Sequence, residues 1–96
     1  EDLDQELLGS PLRRAKPEGL KRNACIVLAN QRMVDALPTL EAVALHDPSP
    51  VVRATALWSC VELGHTDMLK LTKDDTAVEV QQERAALLEQ VRQPLP

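Results

Sequence analysis

The stretch DPSPVVRATALWSCVELG, residues 47–64, contains the start, the buried face and the end of one predicted helix. Either Asp47 or Ser49 can cap this helix, because their side-chain oxygens accept hydrogen bonds from backbone N–H groups of a first turn. The prolines beside them suit that turn, where a missing N–H group is tolerated. Gly64 can end the helix. Apolar residues at spacings of four, four and three predict its buried face, which comprises Val52, Ala56, Cys60 and Leu63.

This helical stretch is repeated in the chain. Residues 16–30 align with residues 47–61 without a gap, at an offset of 31. The alignment pairs Arg22 with Arg53. Residues 75–89 form a weaker third copy, which keeps the small and aliphatic residues but lacks the arginine. Helix pairs that repeat about every 30 residues are typical of an α-solenoid, in which each pair buries its apolar face against the next.

Helical patterns fill most of the remaining chain, and no useful length of it alternates polar and apolar residues as a strand would. We therefore predict an all-α fold, a short α-solenoid of helical pairs with about five to six helices. The outer helices have predicted buried faces of their own. These comprise Leu20, Ala24, Val27 and Leu28 on the earlier helix, and Val80, Ala85, Leu87, Leu88 and Val91 on the last one.

The predicted organisation is a single domain, residues 1–96. A lead-in segment, residues 1–16, precedes two repeats near 17–46 and 47–73 and a final helix, residues 76–92. Because the chain begins with Glu1 rather than Met, we expect it to be excised from a longer chain. No apolar run approaches the roughly 20 residues that span a bilayer, so we expect no membrane partner and a cytoplasmic location.

The chemistry-bearing residues of this chain do not predict an active site of its own. Cys25 and Cys60 both lie in helical patterns, without a C-x-x-C motif or a histidine at ligand spacing, so we predict reduced thiols and no metal site. No nucleophile–base pair and no glycine-rich phosphate loop is present. We expect the chain to bind no cofactor and to catalyse no reaction alone.

Positive charge is concentrated near the N-terminus of a chain whose net charge is −4. Five of the eleven basic residues lie between Arg13 and Arg22, with one acidic residue, Glu18, among them. Clustered Lys and Arg side chains bind an RNA backbone by releasing its counterions. The alternative is a solvated helix face that pairs with acidic residues at positions 1–6. Trp58 lies on a core-like pattern, so no aromatic side chain is expected to stack on a base.

The motif Asp47-Pro48-x-x-Val51-x-Arg53 resembles HEAT repeats, particularly their short variety of about 30 residues. We interpret Asp47 as a helix cap. Arg53 lies one turn into the helix, from which its guanidinium can reach an acidic group of the adjacent repeat. Both residues are therefore predicted to be structural, and the solenoid is predicted to consist of HEAT-like helical pairs.

Residues 9–16, GSPLRRAK, together with the run GLKRNA at 19–24 and Ala29-Asn30, resemble the C-terminal part of epoxyqueuosine reductases. These enzymes complete the hypermodified base queuosine in the tRNA anticodon. With the following helix, the resemblance covers roughly residues 7–64. It implies a longer oxidoreductase that uses cobalamin and two four-iron four-sulfur clusters, held by N-terminal catalytic and ferredoxin-like domains. This chain departs from the family pattern at Pro17-Glu18, where basic residues are common, and it lacks the cluster cysteines.

The resemblance implies a function for the basic segment. In the family, these helical repeats are expected to help position the tRNA anticodon stem-loop and to pack on the iron–sulfur domain. The implied RNA contacts are Arg13, Arg14, Lys16 and Lys21. Arg22 and Asn23 are predicted to dock the preceding domain or to hold the turn before Pro17. Two alternatives stay open, a stand-alone HEAT-repeat adaptor that binds a protein through a concave helix face, and an enzyme in its own right.

Overall fold

The computed structural model describes residues 17–92, and the side chains of residues 18–91. Within that range it has five α-helices and no strands, which confirms the predicted all-α solenoid. No helix in this range has the length and apolar character needed to cross a membrane. A short 3-10 helix, Val34–Ala36, precedes the second α-helix. The helices are α1 (Pro17–Asn30), α2 (Leu37–His46), α3 (Pro50–Glu62), α4 (Met68–Leu71) and α5 (Val78–Arg92).

Helix α3, formed by the stretch that repeats, lies at the centre of the fold. It packs against α1, α2 and α5, whereas α1 and α5 pack mainly on α3. Val52, Ala56 and Cys60 have no exposed surface, which confirms the predicted buried face of this helix. The small side chains on this face let the neighbouring helices approach closely.

Of the two capping residues that the sequence offers for α3, the structure uses Ser49, and the interpretation of Asp47 as the cap is wrong. Ser49 is the N-cap, and its Oγ accepts a hydrogen bond from Val52 N at 3.3 Å. Asp47 lies two residues earlier, and its Oδ2 accepts a hydrogen bond from Ser49 N at 3.0 Å. Pro50 occupies the first helical position. After the helix, Gly64 adopts a φ of 97°, a left-handed conformation that favours glycine.

The predicted buried face of α1 is largely wrong. The helix buries Cys25 and Ala29 instead, while Leu20 and Val27 are 58% and 47% exposed and Ala24 is exposed as well. α1 is the first helix described, so only one side of it packs on α3. Helical periodicity shows that an apolar row exists but does not show which row faces the neighbouring helix.

The last helix shows the same effect. α5 buries Val80 and Leu87 as predicted, but Leu88 and Val91 are 40% and 50% exposed, and Ala85 is exposed. This helix ends the described stack, as α1 begins it, and its neighbour α3 covers only part of its apolar surface. Terminal helices of a solenoid expose apolar surface that an inner helix would bury.

Candidate functional site

A row of charged side chains connects the N-terminal ends of the three long helices. Lys21 Nζ, on α1, lies 2.7 Å from Asp47 Oδ1, just before α3. Arg53, on α3, donates from Nε to Asp75 Oδ2 at 2.8 Å and from Nη2 to Asp75 Oδ1 at 3.2 Å. Its Nη1 donates to the Asp47 carbonyl oxygen at 2.8 Å. We call these four residues the ladder, because each cation connects one helix to the start of the next pair.

The ladder repeats its geometry at the third copy of the helix. Asp75 Oδ1 accepts a hydrogen bond from Ala77 N at 3.0 Å, two residues on, as Asp47 does at the start of α3. Gln81 lies 28 residues after Arg53, at the same distance that separates the two aspartates. Its Nε2 donates to the Asp75 carbonyl oxygen at 2.6 Å. The glutamine thus keeps the backbone bond of the missing arginine, a function that the sequence did not predict.

The two ladder aspartates are held in their ionised form. Hydrogen bonding from Lys21 lowers the pKa of Asp47, and the backbone N–H of Ser49 lowers it further. Hydrogen bonding from Arg53 lowers the pKa of Asp75 in the same way. Their side chains are only 7% and 13% exposed, so neither is available to an external ligand. The geometry is therefore that of a structural network between repeats.

Of the four predicted RNA contacts, only Lys21 lies within the described residues. Arg13, Arg14 and Lys16 fall outside the described residues, in the segment that joins α1 at Pro17. Lys21 is described, and its side chain is 51% exposed although its ammonium contacts Asp47. An ammonium group has three donors, so this lysine keeps hydrogen-bonding capacity on its solvent side.

The two residues predicted to dock a preceding domain, Arg22 and Asn23, are exposed on α1. Within the described part of the chain, neither makes a side-chain hydrogen bond or an ion pair. The exposed apolar residues of the same helix lie close to them in sequence. We call the surface formed by Leu20, Ala24 and Val27 the outer face of α1. Contiguous exposed apolar surface of this kind is typical of an interaction site.

The two thiols of this chain do not fit an iron–sulfur cluster. Cys25 and Cys60 are free and buried. Burial raises the pKa of both, to about 12 for Cys60, so both stay protonated at neutral pH. A cluster is held by thiolates, commonly four of them, and the whole chain contains two cysteines. Among the described residues, no group of three or more His, Cys, Asp or Glu side chains could hold a metal ion.

A shallow groove of about 440 Å³ crosses α1, α3 and α5. Trp58 lines this groove and is half-buried, and its ring also packs against the core. The prediction that Trp58 belongs to the core is therefore only partly right. Glu83 lines the groove from α5, and burial raises the pKa of its carboxyl group. The sequence analysis did not predict this groove, whose residues come from three helices. The described lining residues are Ile26, Thr55, Trp58 and Glu83.

Comparison with known proteins also finds similarity to HEAT repeats and to epoxyqueuosine reductases. The family model for HEAT repeats matches residues 6–92. Epoxyqueuosine reductase of Staphylococcus aureus is 39% identical over 79 residues, which is 79% of this chain and 20% of that protein. The Bacillus subtilis epoxyqueuosine reductase is 35% identical over 70 residues, which is 73% of this chain and 18% of that protein.

The Bacillus cereus epoxyqueuosine reductase is 38% identical over 58 residues, 60% of this chain and 15% of that protein. These similarities confirm the resemblance read from the residues. The chain therefore spans about a fifth of the length of the relatives that it matches, or less. No solved structure matches it significantly.

Proposed function

Because the chain belongs to the HEAT-repeat family, we propose that it is a non-catalytic helical-repeat domain of a longer protein similar to epoxyqueuosine reductase. In this proposal it helps to position the tRNA anticodon stem-loop and packs on the iron–sulfur domain during queuosine biosynthesis in the cytoplasm. The observation that carries the proposal is the 39% identity to an epoxyqueuosine reductase over 79 residues.

The outer face of α1 supports a docked neighbouring domain. Leu20 and Val27 are about half-exposed, and Arg22 and Asn23 offer polar groups beside them. An interface that combines an apolar centre with a polar rim is typical of domain packing. The helix that carries this face is also the one that follows the lead-in segment, so a preceding domain would lie close to it.

The cluster of three basic residues at positions 13–16 supports an RNA contact there rather than over the whole surface. Residues 17–92 contain eight Lys and Arg side chains against eleven Asp and Glu side chains, so the described part is acidic overall. The phosphates of RNA would therefore be attracted to Arg13, Arg14 and Lys16, and to the exposed side of Lys21.

The redox chemistry of the proposed parent belongs to its other domains. When bound, cobalamin and iron–sulfur clusters supply electrons for reducing the epoxide, but the two buried thiols described above do not fit a cluster. This chain is proposed to contribute RNA contacts and a docking surface only.

A second candidate function is a stand-alone HEAT-repeat adaptor that binds a protein. The groove beside Trp58 favours this candidate, since concave surfaces of helical repeats are common binding sites. On this candidate, affinity lies in the groove and the basic lead-in segment is dispensable.

RNA binding tests the first candidate. A labelled anticodon stem-loop RNA is titrated with the full 96-residue chain, and the fluorescence anisotropy of the RNA is measured. Phosphate contacts by Arg13, Arg14 and Lys16 alone predict that the affinity falls about twentyfold to fortyfold between about 50 and 200 mM salt, and a contact by Lys21 would steepen this fall. We expect Arg13→Glu/Arg14→Glu to weaken binding by about tenfold or more.

The matched control is Lys70→Glu/Lys73→Glu, which changes the net charge equally at two exposed residues distant in sequence. We expect it to weaken binding much less. If both double variants lost the same amount of RNA affinity, the affinity would depend on net charge alone and not on Arg13 and Arg14. Affinity that does not change with salt would contradict the phosphate contacts altogether.

A further inference from the structure

The groove brings an aromatic ring and a carboxylate together from two different helices. Trp58 contributes from α3 and Glu83 from α5, while Ile26 provides apolar surface from α1. Thr55 also lines the groove, but its Oγ1 donates to the Val51 carbonyl oxygen at 2.9 Å and is thus used within its own helix. Among the described lining residues, the indole ring and the carboxylate are therefore the groups that can recognise a ligand.

Glu83 is a half-buried carboxylate without a cationic partner among the described residues. The neighbouring Arg84 is directed elsewhere, since its Nε donates to the Leu69 carbonyl oxygen at 2.9 Å. Its Nη1 donates to Gln81 Oε1 at 3.2 Å. Burial raises the pKa of Glu83, which shows that its charge is poorly solvated. A ligand cation would supply the missing interaction.

The charges around the groove favour a cation over an anion. Glu79 lies one turn before Glu83 on α5, and Glu62 lies one turn after Trp58 on α3. Among the described residues, Arg22 lies one turn before Ile26 and is a cation on the α1 side. The carboxylates outnumber it, so a phosphate group would be repelled.

We propose that this groove binds an arginine side chain of a partner protein. The guanidinium group would stack on the Trp58 indole and pair with the Glu83 carboxylate, two interactions that its flat shape and fixed donors allow at once. The aliphatic part of the arginine would lie against Ile26. A lysine has neither the planar surface nor the paired donors, so it should bind less tightly. The proposal rests on the groove of the second candidate function and names its ligand, but it does not depend on the RNA contacts of the first candidate.

Trp58 makes this proposal directly measurable. It is the only tryptophan, and the chain has no tyrosine, so the intrinsic fluorescence reports on the groove. The probe is the capped peptide Gly-Arg-Gly, titrated into the full chain. The control peptides replace arginine with citrulline, which has the same shape without the charge, or with lysine. We expect saturable change with arginine, weaker change with lysine and none with citrulline.

Variants of the chain test the carboxylate. We expect Glu83→Gln to weaken binding of the arginine peptide by about tenfold, since a charge-assisted hydrogen bond is lost. Glu89→Gln, at an exposed residue of the same helix, removes an equal charge and should change the affinity less than about twofold. Circular dichroism checks that both variants keep the helical content.

Several results would overturn the proposal. Equal binding of the citrulline peptide would mean an apolar site, and an unchanged affinity of Glu83→Gln would remove the ion pair. Stronger quenching of Trp58 by the stem-loop RNA than by the peptide would make the groove a nucleic-acid site. If Arg13→Gln/Arg14→Gln alone shifted the emission and raised the affinity for the peptide, the occupant would be the lead-in segment of this chain.

Discussion

Arg53 makes three of the hydrogen bonds of the ladder. One guanidinium group bonds both Asp75 carboxylate oxygens and the Asp47 carbonyl oxygen. It therefore connects the start of its own helix, α3, to the start of the next long helix, α5. Because Asp75 is largely buried, removing the arginine would leave a carboxylate without its cation.

We predict that Arg53→Ala lowers the free energy of unfolding by about 2–3 kcal/mol at neutral pH. Urea denaturation followed by circular dichroism measures this loss. Lys73→Ala, at an exposed residue, should change the stability by less than about 0.5 kcal/mol.

Urea denaturation of Arg53→Ala at lower pH tests whether the ionised form of Asp75 is what stabilises the fold. The pKa of Asp75 is lower in the folded protein than in the unfolded chain, so its stabilisation is present above the unfolded pKa. It is lost as the pH falls through the folded pKa. The stability difference between the wild-type chain and Arg53→Ala should therefore shrink on acidification below 3.8, the ordinary pKa of an aspartate. A difference that stays constant would contradict this account.

Only some of these residues can be predicted from the sequence. The motif predicts Arg53 as a cation that reaches an adjacent repeat, but not which acidic group it reaches. It also predicts Asp47 as the cap, whereas the N-cap is Ser49. That partner depends on the lateral offset of neighbouring helices, which a motif does not specify. The alignment paired Arg22 with Arg53, yet Lys21 contacts Asp47. The groove was missed for the same reason, since its aromatic and acidic residues meet only after the helices pack.

At the scale of elements, α3 depends on a cap that has two functions. Ser49 Oγ accepts a hydrogen bond from Val52 N and donates one to Glu18 Oε2 of α1 at 2.6 Å. The hydroxyl thus stabilises the start of its own helix and connects it to the first turn of another.

We expect Ser49→Ala to lower the free energy of unfolding by about 1–2 kcal/mol, because both hydrogen bonds are lost. Ser49→Thr keeps the hydroxyl group and is the matched control, with a loss of less than about half that amount. Thermal denaturation of both variants measures the difference. If threonine and alanine were equally destabilising, the hydroxyl group would not account for the effect.

The boundaries of the elements were predicted better than their buried faces. Proline, serine and glycine mark the ends of α3 through local backbone preferences, so the printed sequence is sufficient there. The apolar rows of α1 and α5 are exposed or buried according to their neighbours, and each helix packs on α3 from one side only. Leu20 and Val91 belong to predicted faces, yet half or more of each is exposed.

At the scale of the whole molecule, α3 packs against α1 and α5. These two are the outer helices of the described range, and both carry exposed apolar residues. A HEAT array buries such residues against a further repeat or another domain. The chain also spans about a fifth of the relatives that it matches, or less. These two observations support the proposal that the chain is part of a larger protein, in which a neighbouring domain would pack on the outer face of α1.

The size of the natural protein tests the central claim most directly. An antibody raised against this chain is used on a blot of lysate from the source cells, with the purified 10.6 kDa chain as the reference. We predict a band several times heavier than the chain, and iron–sulfur absorbance in that larger protein once it is purified. A single band at the mass of the chain itself would contradict the proposed parent and leave the adaptor that binds through the groove.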